Sequence, residues 1–178
     1  MIGTKELLKL VKEKKLVENL CSRELENPEG CGFDLRVGEI FTISEGEAFL
    51  GENERYTPET ESIAKYGKEK DFVLKPGDFV LIKTIEKLNL PKDMAVIFRP
   101  RSTLQRCGVG LFTAAASPGY SGELTFGMAN LGKNDFKLEL GARIAHAVFF
   151  NTGENHSVYR GQWQNGRVST EGKSEMQL

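Results

Sequence analysis

Residues 72–98 read FVLKPGDFVLIKTIEKLNLPKDMAVIF, a stretch in which apolar runs alternate with turns. The runs are rich in β-branched and aromatic residues and cover Phe72–Leu74, Phe79–Leu88 and Met94–Phe98. Each intervening turn contains proline and aspartate, which favour a tight turn over a continued strand or helix. Short apolar runs at this spacing predict β-strands joined by turns.

The same alternation extends outward through most of the chain. Further strands are predicted at Phe33–Val37, Glu123–Ala129, Phe136–Leu140 and Ile144–Phe150. Many short strands separated by turn signals are typical of a β-sandwich, a jelly roll or a barrel.

Two stretches depart from this strand pattern. Thr4–Lys15 predicts an amphipathic helix, in which Leu7, Leu8 and Val11 share one face and Thr4 can cap the start. Glu45–Lys70 is polar and without a strong strand pattern, which predicts a surface excursion with a short helix near Glu61–Tyr66.

Length and composition narrow the class of protein. A chain of 178 residues predicts one domain, residues 1–178. The 24 basic and 25 acidic residues give no basic excess, so no polynucleotide partner is expected, while a small anion needs only a few local cations. No apolar stretch is long enough for a signal peptide or a membrane span, and we expect a cytoplasmic protein without a membrane partner.

The cysteines do not predict a disulfide framework or a zinc site. The chain has three cysteines, Cys21, Cys31 and Cys107. Their odd number and wide spacing favour free thiols in a reducing compartment. The chain also lacks the paired cysteines of a zinc-dependent deaminase.

The densest group of candidate ligand-binding residues is RPRSTLQRCGV at residues 99–109. Arginine offers a planar fork of donors suited to phosphate oxygens, and the serine and threonine hydroxyls add neutral donors. If Ser102 begins a helical turn, its backbone N–H groups would also face an anion. On composition alone, an exposed basic turn or ion pairs at an interface are equally open.

A second candidate is AAASPGYSGEL at residues 114–124. Small residues allow a flat ligand to approach the backbone, and an aromatic ring on a glycine-flanked turn can cover a planar base. The alternative is an ordinary tight hairpin. The polar tail from Gly161 to Leu178 is either a frayed terminus or a mobile arm that folds over a ligand.

Six stretches together resemble the superfamily of dCTP deaminases and trimeric dUTPases. Arg101–Gly108 is similar to the RSSLxRxG motif of dCTP deaminases and related archaeal dUTPases, and residues 117–122 are similar to the D-[PA]-G-[YFW]-x-G turn. The other matches are GFDLRVG at 32–38, LKPG and EKLNLP at 74–77 and 86–91, GARIAH at 141–146, and YRGQ at 159–162.

This resemblance implies a mainly β subunit with a distorted jelly-roll, β-clip, dUTPase-like fold and a short N-terminal helix. It also implies a homotrimer with active sites between subunits, and a deoxypyrimidine triphosphate, dUTP or dCTP, as ligand. Mg²⁺ would be held by the phosphates and not directly by the protein. The phosphate-binding residues would be Arg101, Ser102, Thr103, Arg106, Tyr159, Gln162 and Arg167, and the pyrimidine and deoxyribose would contact Ala114, Ala115, Gly119, Tyr120 and His146.

The chain departs from the family pattern at its acidic positions. Ser117 stands where dUTPases have the aspartate that orients the attacking water, and Gly127 stands where dCTP deaminases have a proton-shuttling glutamate. A serine cannot accept a proton at neutral pH as a carboxylate can. Ser117, Asp34 and Glu123 are therefore the candidate catalytic residues, and the carboxylates among them have structural alternatives such as a turn or a strand cap.

The resemblance leaves three functions open. The first is a dUTP diphosphatase that converts dUTP and water to dUMP and diphosphate with Mg²⁺. The second is a zinc-independent dCTP deaminase, which the glycine at 127 disfavours. The third is a deoxynucleotide-binding homologue that has lost catalysis. A cupin-like jelly roll of unrelated function would need clustered metal ligands that the sequence does not offer.

Overall fold

The computed structural model describes residues 1–153 and 157–177. In chain order, its helices and strands are α1 Thr4–Lys14, β1 Val17–Glu18, α2 Ser22–Glu26, β2 Gly32–Ile43, β3 Phe49–Leu50, β4 Glu54–Tyr56, β5 Thr60–Lys65, β6 Asp71–Leu74, β7 Phe79–Asn89, β8 Met94–Pro100, α3 Ser102–Arg106, β9 Val109–Phe112, β10 Ser121–Asn130, β11 Phe136–Glu139, β12 Arg143–Asn151 and β13 Glu175–Met176. A 3₁₀ turn covers Gln164–Gly166.

The main sheet closes on itself. Its strands are antiparallel and run in the order β8-β12-β2-β7-β10-β9, with β1 added to β7 and β5 to β2. The two ends of this order meet after β9, where Val96 and Ala116 exchange backbone hydrogen bonds of 2.9 and 2.8 Å. The core inside is built from alternating strand residues such as Phe33, Ile82 and Phe149. The seven strands predicted from the sequence are all present.

The helices agree with the sequence only in part. The first helix is confirmed and buries Leu7, but Gly3 is its N-cap residue and no side chain caps it, so the capping role predicted for Thr4 is wrong. Two further helices, α2 and α3, have five residues each, too few for an amphipathic pattern to reveal them. Among residues 1–153 and 157–177, no helix has the length and apolar character needed to cross a membrane.

The excursion at Glu45–Lys70 was predicted wrongly. It contains β3, β4 and β5, and the segment expected to hold a short helix is instead the strand Thr60–Lys65, paired with the distal half of β2. Only Ala64 of that strand is buried, so its sequence lacks the apolar alternation by which a strand is recognised.

The C-terminal segment lies against this excursion. Its strand β13 pairs with β4, and Thr57 and Thr170 exchange two hydrogen bonds of 2.8 Å between backbone N–H groups and threonine hydroxyls. The mobility predicted for the arm at 161–178 stays a prediction, and its last residue, Leu178, lies outside the described residues.

Candidate active site

A cavity of about 450 Å³ lies between the hairpin that follows β9, the strands β7 and β10, and the C-terminal arm. The predicted ligand-binding residues in its lining are Ala114, Ala115, Tyr120, Tyr159 and Arg167. Most of the remaining lining is apolar, including Phe79 and Phe126. A small apolar cavity edged by a few polar groups is suited to a planar ring that carries a charged tail.

The hairpin turn is held by two hydrogen bonds, one from the backbone of Tyr159 just before the arm and one from the side-chain amide of Gln164 within it. Gly119 has a φ of +81°, a conformation that glycine adopts without steric cost. The N–H of Tyr159 donates to the carbonyl of Pro118 at 2.6 Å, and the amide of Gln164 donates to the carbonyl of Gly119 at 3.2 Å. The arm therefore packs on the hairpin of its own protomer, with Gly119 covered by Val158.

The side chain of Tyr120 is packed between the hairpin and the C-terminal segment. Its ring is buried and lies edge-on to Tyr159 with 5.5 Å between the ring centroids. The phenol donates to the carbonyl of Glu123 at 2.5 Å. Burial raises the pKa of Tyr120 to about 12, with Tyr159 and Glu123 contributing, so the phenol stays neutral at physiological pH.

The two candidate catalytic residues of the hairpin have different surroundings. Ser117 is exposed at the turn and is absent from the cavity lining. Glu123 is half-buried beside the arm, close enough that a Cβ on Gly166 would lie 2.5 Å from its Oε2. Glu123 takes part in no ion pair with any other residue of 1–153 or 157–177.

The third candidate, Asp34, lies in a separate cationic cluster. Its Oδ2 accepts hydrogen bonds from Arg101 and, at 2.9 Å, from Arg143, while its Oδ1 is 2.9 Å from Nδ1 of His146. Its backbone N–H donates to the buried carboxylate of Glu24 at 2.9 Å. Burial alone would raise the pKa of Asp34, but the hydrogen bond from His146 and the charges of Arg101 and Arg143 outweigh it and lower the pKa.

The cluster follows from strand register. His146 on β12 lies opposite Asp34 on β2, and β8 on the other side of β12 leads into Arg101. The family resemblance implies that His146 contacts the pyrimidine, whereas within one protomer it lies in the cluster and not in the cavity lining. Arg143 was not selected from the sequence, although it stands inside the GARIAH match.

The remaining phosphate-binding candidates lie on the helix α3 and on the arm. Ser102 begins the helix α3, as expected, with Arg101 as its N-cap residue. Ser102, Thr103 and Arg106 are exposed. Gln162 lies on the arm, where its side-chain oxygen accepts a hydrogen bond of 2.7 Å from Arg55.

The position of the deaminase glutamate is occupied by Gly127 on β10. A Cβ at this glycine would lie 2.8 Å from Cζ of Phe79 and 3.5 Å from Cβ of Phe112. The ring of Phe79 therefore occupies the space that a side chain at 127 would need.

Direct metal binding finds no support in the donor set. The part of the chain that the structure describes has no group of three or more His, Cys, Asp and Glu residues arranged to hold a metal ion. The arginine-rich cluster suits the phosphates of a nucleotide, and Mg²⁺ would fit here only as a companion of those phosphates. All three cysteines are free thiols.

Comparison with known proteins identifies a family for this chain. A family model described as dCTP deaminase-like matches residues 1–152. A probable deoxyuridine 5'-triphosphate nucleotidohydrolase of Methanococcoides burtonii is 33% identical over 171 residues, which are 94% of this chain and 99% of the relative. A dUMP-forming dCTP deaminase of Dictyoglomus turgidum is 29% identical over 154 residues, 84% of this chain and 79% of the relative.

A solved structure supports the fold. The 2'-deoxycytidine 5'-triphosphate deaminase from Agrobacterium tumefaciens superposes with a TM-score of 0.63 at 16% sequence identity, covering 83% of this chain and 46% of that chain. This likeness confirms the mainly β, dUTPase-like fold expected from the sequence. With the family match over residues 1–152 and the relative in Methanococcoides burtonii, it follows that this chain belongs to the dCTP deaminase-like family.

Proposed function

We propose that this chain binds dUTP and hydrolyses it to dUMP and diphosphate. The observation that carries the proposal is the lining of the cavity, whose ionisable side chains among the described residues are Tyr120, Tyr159 and Arg167. Among the described residues, this lining contains no carboxylate, histidine or lysine, the side chains that usually serve as acid–base groups at a pyrimidine ring. Such a cavity can hold a pyrimidine without reacting with it, which directs the chemistry to the phosphate chain.

Deamination needs an acid–base group at the ring, because protons must reach the pyrimidine and the departing ammonia. Within one protomer, the glycine at 127 with the ring of Phe79 beside it supplies no such group on β10. The relatives include both a dUMP-forming dCTP deaminase and probable dUTP nucleotidohydrolases. The lining favours the second of these reactions.

The phosphates need cations that the cavity itself offers only through Arg167. Within one protomer, α3 and the Asp34 cluster contribute nothing to the lining. We therefore infer a homotrimer in which Arg101, Ser102, Thr103 and Arg106 of one subunit meet the cavity of a neighbour. Asp34 then acts as the anchor that orients Arg101 and Arg143 and not as the base, because its lowered pKa makes it a poor proton acceptor.

Glu123 is the carboxylate left to activate water. It lies just outside the cavity lining, three residues from Tyr120, whose phenol donates to its backbone carbonyl. Ser117 would orient the water or the deoxyribose hydroxyl through its own hydroxyl group. Mg²⁺, when bound to the triphosphate, would neutralise phosphate charge, and the residues of this chain would bind the phosphates around it.

A second function is favoured by one observation. Ser117 stands exposed at the turn where the resemblance implies an aspartate, so the chain can be a deoxynucleotide-binding protein that has lost hydrolysis. The two functions differ in turnover and not in binding.

A product assay tests the proposal. The full-length protein would be incubated with Mg²⁺ and either dUTP or dCTP, and the products separated by ion-exchange chromatography. We expect dUMP from dUTP and no product from dCTP. Glu123→Gln should lower the rate by about 10²–10⁴-fold, the range that a general base contributes, and Ser117→Asp should raise it.

Arg106→Ala is the binding control for this assay, because it should cost about 1.5–3 kcal/mol for each lost charged hydrogen bond to phosphate. Deaminated product from dCTP would refute the proposal. Nucleotide binding without product would establish the non-catalytic binder instead.

A further inference from the structure

Two arginines from distant parts of the chain share one carboxylate beside the cavity. Nε of Arg55 is 3.1 Å from Oε1 of Glu175, and Nη1 of Arg167 is 2.8 Å from Oε2 of the same side chain. Both guanidinium groups lie over the ring of Trp163, with 4.7 Å from Cζ of Arg55 and 5.5 Å from Cζ of Arg167 to the ring centroid.

Local structure explains why these groups meet. Arg55 on β4 is directly opposite Glu175 on β13, and Arg167 follows the 3₁₀ turn that carries the chain back toward this small sheet. Trp163 and Arg167 both line the cavity, so the cluster stands at its edge. Of these residues only Arg167 has a role suggested by the family resemblance, and Arg55 lies in the polar excursion outside the quoted motifs.

The charge of the cluster is not balanced. Two guanidinium groups face one carboxylate, which leaves one net positive charge. The hydrogen bond from Arg167 is the main cause of a lowered pKa at Glu175, opposed by desolvation and assisted by Arg55, so the carboxylate is ionised at neutral pH. The neighbouring Glu54 is engaged elsewhere, accepting a hydrogen bond of 2.9 Å from Ser174.

We propose that Arg55 and Arg167 form an anion subsite at the edge of the cavity for the distal phosphates of the nucleotide, and that Glu175 competes with those phosphates for this subsite. The proposal rests on the proposed function for the identity of the ligand. The two oxygens of Glu175 stand where two oxygens of a phosphate would bind, because arginine N–H groups donate to carboxylate and phosphate oxygens in similar geometry.

This arrangement has a consequence for affinity. A triphosphate carries more negative charge than one carboxylate and can displace it, but the displacement weakens the net binding of the phosphates. Glu175 is thus a competitor built into the chain. A residue that only tethered the arm would have the opposite effect, since its loss would loosen the arm and weaken binding.

Titration calorimetry of the full-length protein with inorganic tripolyphosphate, in the absence of metal, tests the competition. Glu175→Gln should tighten tripolyphosphate binding by about tenfold, the equivalent of one charged hydrogen bond. Glu171→Gln is the matched control, because it makes the same change on an exposed residue of the same segment. Weaker binding in Glu175→Gln, or binding equal to that of Glu171→Gln, would overturn the proposal.

A second comparison covers the case in which Glu175→Gln disturbs the arm. Arg55→Gln should weaken dUTP binding by about tenfold while leaving dUMP binding unchanged, because only the distal phosphates reach the subsite. Equal losses for dUTP and dUMP would mean that Arg55 merely holds Trp163 and the arm, and would refute the subsite. Failure of the subsite can be told apart from failure of the proposed hydrolysis. A protein that does not hydrolyse dUTP gives no dUMP in the product assay, but its binding of tripolyphosphate is unaffected.

Discussion

The ring of Phe79 lies against the backbone of Gly127, with Cζ 2.8 Å from the point where a Cβ of residue 127 would stand. The two residues occupy neighbouring strands, β7 and β10, and Phe79 also packs against Phe112 with 6.1 Å between their ring centroids. A side chain at position 127 would therefore displace the ring of Phe79, which is 45% exposed, while Phe112 stays at an ordinary contact distance of 3.5 Å.

Restoring the glutamate should consequently fail to restore deamination. Gly127→Glu should leave dCTP unreacted and lower the free energy of unfolding by about 1 kcal/mol, the low end of the cost of overpacking, because the displaced ring is 45% exposed. Urea denaturation and the dCTP assay measure the two effects. Phe79→Ala combined with Gly127→Glu should recover part of the stability. Deamination by a fully stable Gly127→Glu protein would show that the ring does not obstruct the site.

The anchoring role of Asp34 predicts a loss of stability that depends on pH. Asp34→Asn should cost about 2–3 kcal/mol at neutral pH, less than the roughly 3–5 kcal/mol for breaking a fully buried pair, because its partners reach solvent. The pKa of Asp34 is lowered on folding from its ordinary value of 3.8. Its stabilisation is therefore complete above that pH and is lost as the pH falls through the lowered pKa.

The wild type and Asp34→Asn should accordingly approach equal stability in acid below about pH 4. Urea unfolding at successive pH values measures this convergence, and Asp135→Asn, a change at an exposed aspartate, is the control. A difference between wild type and Asp34→Asn that persisted unchanged into acid would contradict the anchoring role.

The hydroxyl of Thr125 is buried and, among the described residues, has no hydrogen-bond partner. Thr125→Val should raise the free energy of unfolding by about 1 kcal/mol, since it removes an unsatisfied polar group while nearly preserving shape. Thr113→Val is the matched control and should lower it, because the hydroxyl of Thr113 donates to the carbonyl of Phe98 at 3.1 Å. Equal destabilisation by both changes would mean that Thr125 has a partner.

The strands could be predicted where residue types and turns mark them. β7 is rich in apolar and β-branched residues, and proline turns mark both of its ends, although its burial alternation is not visible because Leu81 is half-buried and Glu86 is buried. The strand Thr60–Lys65 could not be predicted, since it is held by backbone pairing with β2 and buries only Ala64. Pairing of this kind leaves no pattern in residue types.

The site was predictable to the extent that its residues lie in contiguous motifs. The hairpin residues Ala114, Ala115 and Tyr120 were found in this way, and the structure places them in one cavity. Arg55 and Glu175 are separated by 120 residues and meet only through the pairing of β4 with β13. The contact of Phe79 with Gly127 likewise depends on strand register, which the sequence does not reveal.

Hydrolysis in H₂¹⁸O followed by mass spectrometry of the products tests the central claim most directly, because it locates the atom that water attacks. With dUTP and Mg²⁺ we expect one ¹⁸O in the phosphate of dUMP and none in diphosphate, and with dCTP we expect no labelled product. Label in diphosphate would show that water attacks the β-phosphate and not the α-phosphate. Label on the pyrimidine ring of a product from dCTP would show that this protein is a deaminase, and would contradict the account.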